Sequence, residues 1–169
     1  VETNAEDRDA IYFLAQCYEY GIGIDEDESK AYSLYERSAA LEEPYSMFKM
    51  GQKYRENKNY KKALAMLQKA ADQGVSDAYN ILGILYDNGQ GVKKNAGKAV
   101  ELFGKAAEMN SSWGAYNLAQ CYETGDGIQQ DDAKALEWYA EAGKRGIDEA
   151  RHKIAQIIFT ADVLAELLS

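Results

Sequence analysis

Apolar positions along the chain recur at helical spacing. Ile11, Leu14, Ala15 and Tyr18 are separated by the three- and four-residue steps that put side chains on one face of a helix. The frame then returns. Leu14-Ala15-Gln16-Cys17-Tyr18-Glu19 reappears as Leu118-Ala119-Gln120-Cys121-Tyr122-Glu123, and Leu82-Gly83-Ile84-Leu85-Tyr86 and Met50-Gly51-Gln52-Lys53-Tyr54 fit the same pattern. Anchored on the small residue, the series runs Ala15, Gly51, Gly83, Ala119, Ala155, at intervals of 36, 32, 36 and 36 residues. A period of this length marks a stack of supersecondary units. The chain is expected to form one repeat domain over 1–169, with units at about 8–43, 44–75, 76–111 and 112–147, and a half unit with a capping helix at 148–169.

Each unit predicts two helices. After the first, a glycine three residues beyond the tyrosine (Gly21, Gly89, Gly125, with Asn57 in the second unit) supplies the left-handed residue that ends a helix. The second helix is opened by Asp27, Asn59, Asn95 or Asp131, all side chains suited to accepting from first-turn amides. It carries Leu34-Tyr35, Met66-Leu67, Leu102-Phe103 or Trp138-Tyr139, then small pairs such as Ala70-Ala71 and Ala106-Ala107, which let helices approach closely. The helix is stopped at Gly74, Asn110 or Gly146, with Glu42 in the first unit. The 32-residue spacing comes from the loop, where Gly21-Ile22-Gly23-Ile24, Gly89-Gln90-Gly91-Val92 and Gly125-Asp126-Gly127-Ile128 have no counterpart in the second unit. Loops absorb such a deletion, whereas a helix would shift register. These patterns predict an all-α solenoid of about four and a half helix–turn–helix units and about ten helices.

This set resembles the Sel-1-like repeat (SLR), a relative of the tetratricopeptide repeat (TPR). It comprises Leu-Gly/Ala-x-x-Tyr, Gly-x-Gly-Ile/Val, Asp/Asn-x-x-Lys-Ala, the aromatic pair and the Ala-Ala pair, in register over residues 8 to about 158. The resemblance implies a right-handed superhelix whose first helices (helices A) line a concave face, and a role as adaptor or scaffold. It also implies, for some secreted members, a disulfide stapling each repeat. The matching places here are Ala10 with Ala39, Ala78 with Ala107, and Ala150. That departure weakens any transfer of the penicillin-binding activity of cysteine-rich members and favours a reducing compartment.

Composition narrows the partner. A net charge of −9 disfavours nucleic acid and anionic membrane surfaces. No apolar run approaches the roughly 20 residues of a membrane span, so no membrane insertion is expected. The acidic opening, Val1 to Asp7, lacks the layout of a secretion signal. Charge is uneven: residues 1–43 carry 12 acids against 3 bases, and residues 44–75 carry 7 bases against 2 acids. That asymmetry suits recognition of a charged partner or head-to-tail contact between copies; drifted charge on solvated faces is the plainer alternative.

Little here suggests chemistry. The Gly-x-Gly loops follow helices, not strands, so they read as turns and not phosphate cradles. Cys17 and Cys121 hold the same slot three layers apart, far beyond the ~7 Å a disulfide spans, and are expected as buried free thiols. His152 is the only histidine, and acidic runs such as Asp25-Glu26-Asp27-Glu28 match no metal loop. No catalytic residue, metal or cofactor is therefore expected; a hydrolase is the least supported reading.

If helices A line the concave face, two ladders share it. Tyr12, Phe48, Asn80, Tyr116 and His152 lie three before each anchor; Gln16, Gln52, Ile84, Gln120 and Gln156 lie one after. Rings beside amides suit an extended peptide, although the rings could instead fill the inter-repeat core. The lysine, asparagine and arginine set with which some TPR domains clamp a C-terminal carboxylate is missing from these slots. The expected role is a scaffold binding a protein or peptide, as a monomer or weakly self-associating. The alternative is a structural segment of a larger solenoid or a self-associating assembly factor. At the C-terminal end, Thr160 is a candidate cap for a last helix over Ala161–Leu168, whose Val163, Leu164, Leu167 and Leu168 would seal the stack, dimerise or continue a longer array.

Overall fold

A computed structural model describes residues 7–167, with side chains through residue 160. The described residues form nine α-helices and no strand: α1 (Arg8–Tyr20), α2 (Glu28–Ala40), α3 (Pro44–Glu56), α4 (Tyr60–Asp72), α5 (Ser76–Asn88), α6 (Ala96–Glu108), α7 (Ser112–Thr124), α8 (Asp132–Lys144) and α9 (Asp148–Leu167). The chain divides into two compact units, the first ending at Ala78 and the second beginning at Tyr79. Each is described by itself.

Local chemistry sets the helix ends. The side chains of Asp27, Asn59, Asn95 and Asp131 accept from the amides of Lys30, Lys62, Lys98 and Lys134, as their sequence positions predict. Pro44 opens α3, where its missing N–H costs nothing. Gly21 and Gly125 end α1 and α7 in the left-handed conformation, at φ 63° and 76°. The second repeat departs from expectation. Asn57 stays at φ −77°, and Lys58, at φ 58°, is the left-handed residue instead. With four residues fewer, the loop keeps one bond. Asn59 N–H donates to the Tyr54 carbonyl at 2.8 Å, matching Asp27 to Tyr18, Asn95 to Tyr86 and Asp131 to Tyr122 at 2.9 Å. The deletion thus removes the Gly-x-Gly excursion and keeps the closure that turns one helix back on the other.

Within unit 1, α1 and α2 run antiparallel. Asp27 bonds Tyr18 at one end, and at the other Ser38 Oγ donates to the Arg8 carbonyl at 2.8 Å. Ala15 and Gly51 are buried, and a Cβ on Gly51 would meet the Leu67 side chain within 3 Å. In unit 2, a Cβ on Gly83 would likewise strike the Phe103 ring. The small anchors are therefore seats for the large helix-B side chain. Buried around them in unit 2 are Phe103, Ala107, Ala115, Leu118, Ala119, Tyr139 and Ala142.

The C-terminal end corrects the expected cap. Thr160 starts no new helix; α9 runs unbroken from Asp148 to Leu167. No glycine or proline interrupts residues 148–167, and the Thr160 hydroxyl donates back to the Gln156 carbonyl at 2.9 Å, a bond that satisfies it within a helix. The side chains of Val163, Leu164, Leu167 and Leu168 lie outside the described residues.

Candidate functional site

In unit 1, α1 and α3 present the expected ring-and-amide positions. Tyr12 is half-buried. Its ring lies 5.9 Å from that of fully buried Tyr35, and its hydroxyl accepts from Gln16 Nε2 at 3.0 Å. The four-residue step thus joins ring and amide directly. Phe48 and Gln52 are half-buried on α3.

In unit 2, Tyr116 packs in the same way on the helix-B tyrosine. It is half-buried, with its ring edge-on to buried Tyr139 at 5.4 Å and to exposed Trp113 at 5.6 Å. Gln120 is half-buried on α7, and Ile84 is a half-buried residue of α5 packed on the unit 2 core. His152 and Gln156 are exposed on α9, with His152 Nδ1 3.1 Å from the Asp148 carbonyl oxygen. Asn80 departs from its expected place at the surface. It is only 5 % exposed, and its Oδ1 accepts from Asn117 Nδ2 at 2.7 Å. A buried amide needs such a partner, and Asn117 on the next helix A supplies it.

Two three-residue networks were not foreseen. Glu19 on α1 accepts from the Tyr35 hydroxyl of α2 at 2.5 Å and from Lys49 Nζ of α3 at 2.6 and 2.9 Å. In unit 2, Glu123 accepts from the Tyr139 hydroxyl and from Lys153 Nζ at 3.0 and 3.2 Å. Each network ties three successive helices. Burial alone would raise the Glu19 carboxyl, but donation by Lys49 and Tyr35 outweighs it and holds the group below its ordinary value. Burial first, then Glu19, push the Tyr35 phenol far above its ordinary value, so it stays protonated and keeps donating. A sequence signal existed. The segment shared by the first and fourth repeats carries the glutamate, and only those repeats pair it with a tyrosine in helix B and a lysine two before the next anchor. The corresponding sets are Arg55, Leu67, Ile81 and Asp87, Phe103, Asn117.

Cys17 and Cys121 are both free and half-buried, less enclosed than their sequence slots suggest. Burial, then Asp87 and Asp126, push the Cys121 thiol up to about 11. Since the thiolate is the nucleophile, and its higher basicity restores only part of the lost reactivity, Cys121 is expected to alkylate roughly tenfold more slowly at pH 8 than an ordinary free thiol. Mass spectrometry of iodoacetamide-treated native protein, followed in time at this one site, measures that rate. Labelling as fast as that of free cysteine would contradict it.

The Sel1 repeat family matches residues 8–42, 44–75, 76–111 and 114–147. The chain belongs to the Sel1 repeat family. Its fold is similar to the Sel1 repeat protein from Oxalobacter formigenes, at TM-score 0.80 and 25 % identity over 89 % of this chain and 63 % of that one. It is also similar to a protective antigen of uropathogenic Escherichia coli displaying an SLR fold, at TM-score 0.75 and 28 % identity over 85 % of this chain and 32 % of that one. This Sel1-repeat chain thus spans less than two thirds of either relative. The cysteine-rich protein B of Helicobacter pylori follows at TM-score 0.61 and 25 % identity, over 75 % of this chain and 94 % of that one. Among curated proteins there is no match. Sel1-repeat proteins are in general protein-interaction scaffolds. No helix among the described residues is long and apolar enough to cross a membrane.

Proposed function

We propose that this Sel1-repeat chain is a scaffold whose helix-A faces hold an extended segment of a protein partner. The observation that carries this reading is the matched placement of Tyr12 and Tyr116. Each ring is half-buried, backed by a fully buried tyrosine and followed four residues later by a half-buried glutamine. A ring fixed from behind offers contact area with little entropy left to lose, and the amide can serve either side of a peptide backbone. Phe48 and Gln52 extend the surface in unit 1, and Ile84, Gln120, His152 and Gln156 in unit 2.

Peptides selected by display against the intact chain provide the test. Tyr116→Ala is expected to weaken binding by about 2 kcal/mol, roughly thirtyfold. It should cost about 2 kcal/mol of stability, the lost ring pair with Tyr139 together with the buried part of the ring. Selected peptides that bind Tyr12→Ala and Tyr116→Ala variants as tightly as the parent would overturn the reading.

A second reading, a building block that stacks with further repeats or copies, has its own support. Leu14 is 46 % exposed, whereas the matching Met50, Leu82 and Leu118 are buried. On this reading the face of α1 carrying Leu14 receives another helix pair. Sedimentation over a wide concentration range, with Leu14→Glu as the comparison, tests it; a monomer throughout would count against self-stacking.

A further inference from the structure

We propose that the cavity beside Tyr12 in unit 1 is a receptor for a cationic side chain, a lysine or arginine of the bound segment. This rests on the peptide-binding reading above and names the chemistry its first site selects. The cavity is an open cleft of about 440 Å³ lined by Asp9, Tyr12, Phe13, Gln16, Glu43 and Tyr45. Three of the six are aromatic. The Tyr12 ring lies 5.6 Å from that of Phe13 and 6.0 Å from that of Tyr45. Phe13 and Tyr45 are 62 % and 53 % exposed, a large aromatic area to leave in water. The faces of such rings carry partial negative charge and attract ammonium and guanidinium groups.

Two carboxylates add to that field. Glu43 is almost fully buried and pinned as the cap of α3, its oxygens accepting from the Tyr45 and Ser46 amides. Those bonds hold the side chain at a fixed place. Burial, and then the negative charge of Glu43, raise the Tyr12 phenol against the opposing charge of Lys49. Asp9 stands at the rim, with a loose, exposed contact to Arg8 at 3.6 Å. Lys49, the other neighbouring cation, is committed to Glu19 at 2.6 Å.

The rest of unit 1 shows what such rings collect. Lys30 lies over Tyr18, Lys49 over Tyr20 and Tyr35, Lys53 over Tyr32 at 4.2 Å, and Lys62 over Tyr54. Among the described contacts, no ammonium lies over Tyr12, Phe13 or Tyr45. In unit 2 the positions of Asp9, Phe13, Glu43 and Tyr45 are taken by Trp113, Asn117, Ile147 and Glu149, so the combination found where α1 meets α3 does not recur there. Rings without a cation, beside a pinned carboxylate and a cavity, fit a cation brought by a partner.

The intact protein titrated with Nα-acetyl-lysine N-methylamide, followed by proton NMR of the ligand, tests this. Stacking over rings is expected to move the lysine ε-protons upfield, saturating in the millimolar range. Phe13→Ala/Tyr45→Ala should abolish the shift, since both rings are exposed and their loss leaves the fold intact. Asp9→Asn should weaken binding several-fold. The norleucine analogue, of the same carbon length and uncharged, should bind at least tenfold less tightly. Equal shifts with norleucine and lysine, or shifts untouched in the double variant, would overturn the proposal. Failure here with displayed peptides still sensitive to Tyr116→Ala would remove the cation site and leave the peptide surface standing. Lysine binding with peptides indifferent to Tyr12 and Tyr116 would do the reverse.

Discussion

Gly114→Ala is expected to destabilise unit 2 by about 3 kcal/mol, a fall in Tm of roughly 6–12 °C. A Cβ at this position would lie 2.5 Å from the Ala106 Cβ and within 3.0 Å of the backbone of Ala106 and Ala107. Backbone cannot step aside as a rotamer can, so α7 would have to lift from α6. That separation would also loosen the buried layer of Ala107, Ala115 and Ala119. Alanine's better helix propensity, about 1 kcal/mol, offsets only part of the loss. Gly104→Ala is the control: its Cβ would meet nothing within 4 Å, and it lies inside α6. There the same substitution should stabilise by roughly 0.5–1 kcal/mol. Thermal melts of the two variants should therefore move in opposite directions. If both fall alike, close approach of α6 and α7 is not what Gly114 provides.

The contrast shows what kind of information the sequence holds. Helix starts were legible because a cap acts within three residues: Asp27, Asn59, Asn95 and Asp131 reach only their own first-turn amides. The repeat period was legible because small anchors recur, and at Gly51 and Gly83 each faces a large helix-B side chain, Leu67 or Phe103. Pairings between distant residues were harder. Asn80 joins Asn117 across 37 positions, and its polar side chain read as a surface group. Lys58 took the left-handed turn from Asn57 because the shortened loop moved the turn by one residue. Thr160 looked like a cap by type, yet its hydroxyl was equally able to bond back into a continuing helix. The cation cavity was half visible: Tyr12 and Gln16 belong to the ladders, whereas Asp9, Phe13, Glu43 and Tyr45 obey no repeat rule and meet only in the fold.

Glu19→Ala is expected to cost unit 1 about 2 kcal/mol, less than breaking a fully buried ion pair because the Lys49 and Glu19 side chains are 20 % and 19 % exposed. The substitution leaves the Tyr35 hydroxyl, on a fully buried residue, without its acceptor, and strips Lys49 of its carboxylate. Contacts of Lys49 with the Tyr20 hydroxyl and with the Tyr20 and Tyr35 rings soften the loss. If the network acts as a unit, Lys49→Met in the Glu19→Ala background should recover part of the stability, because the stranded charge is gone. The pH dependence has a definite sign. The folded Glu19 carboxyl is lowered, so its contribution is fully present above the unfolded value near 4.5 and is lost as pH falls through the lower folded value. The gap between parent and Glu19→Ala should therefore be widest at pH 7 and shrink towards pH 3. Equilibrium unfolding of both proteins across that range measures it. A gap that stays constant would mean that Glu19 stabilises by packing alone. In that case the identical triad of Glu123, Tyr139 and Lys153 should also be read as a steric device, and Glu123→Gln should then leave unit 2 nearly unchanged.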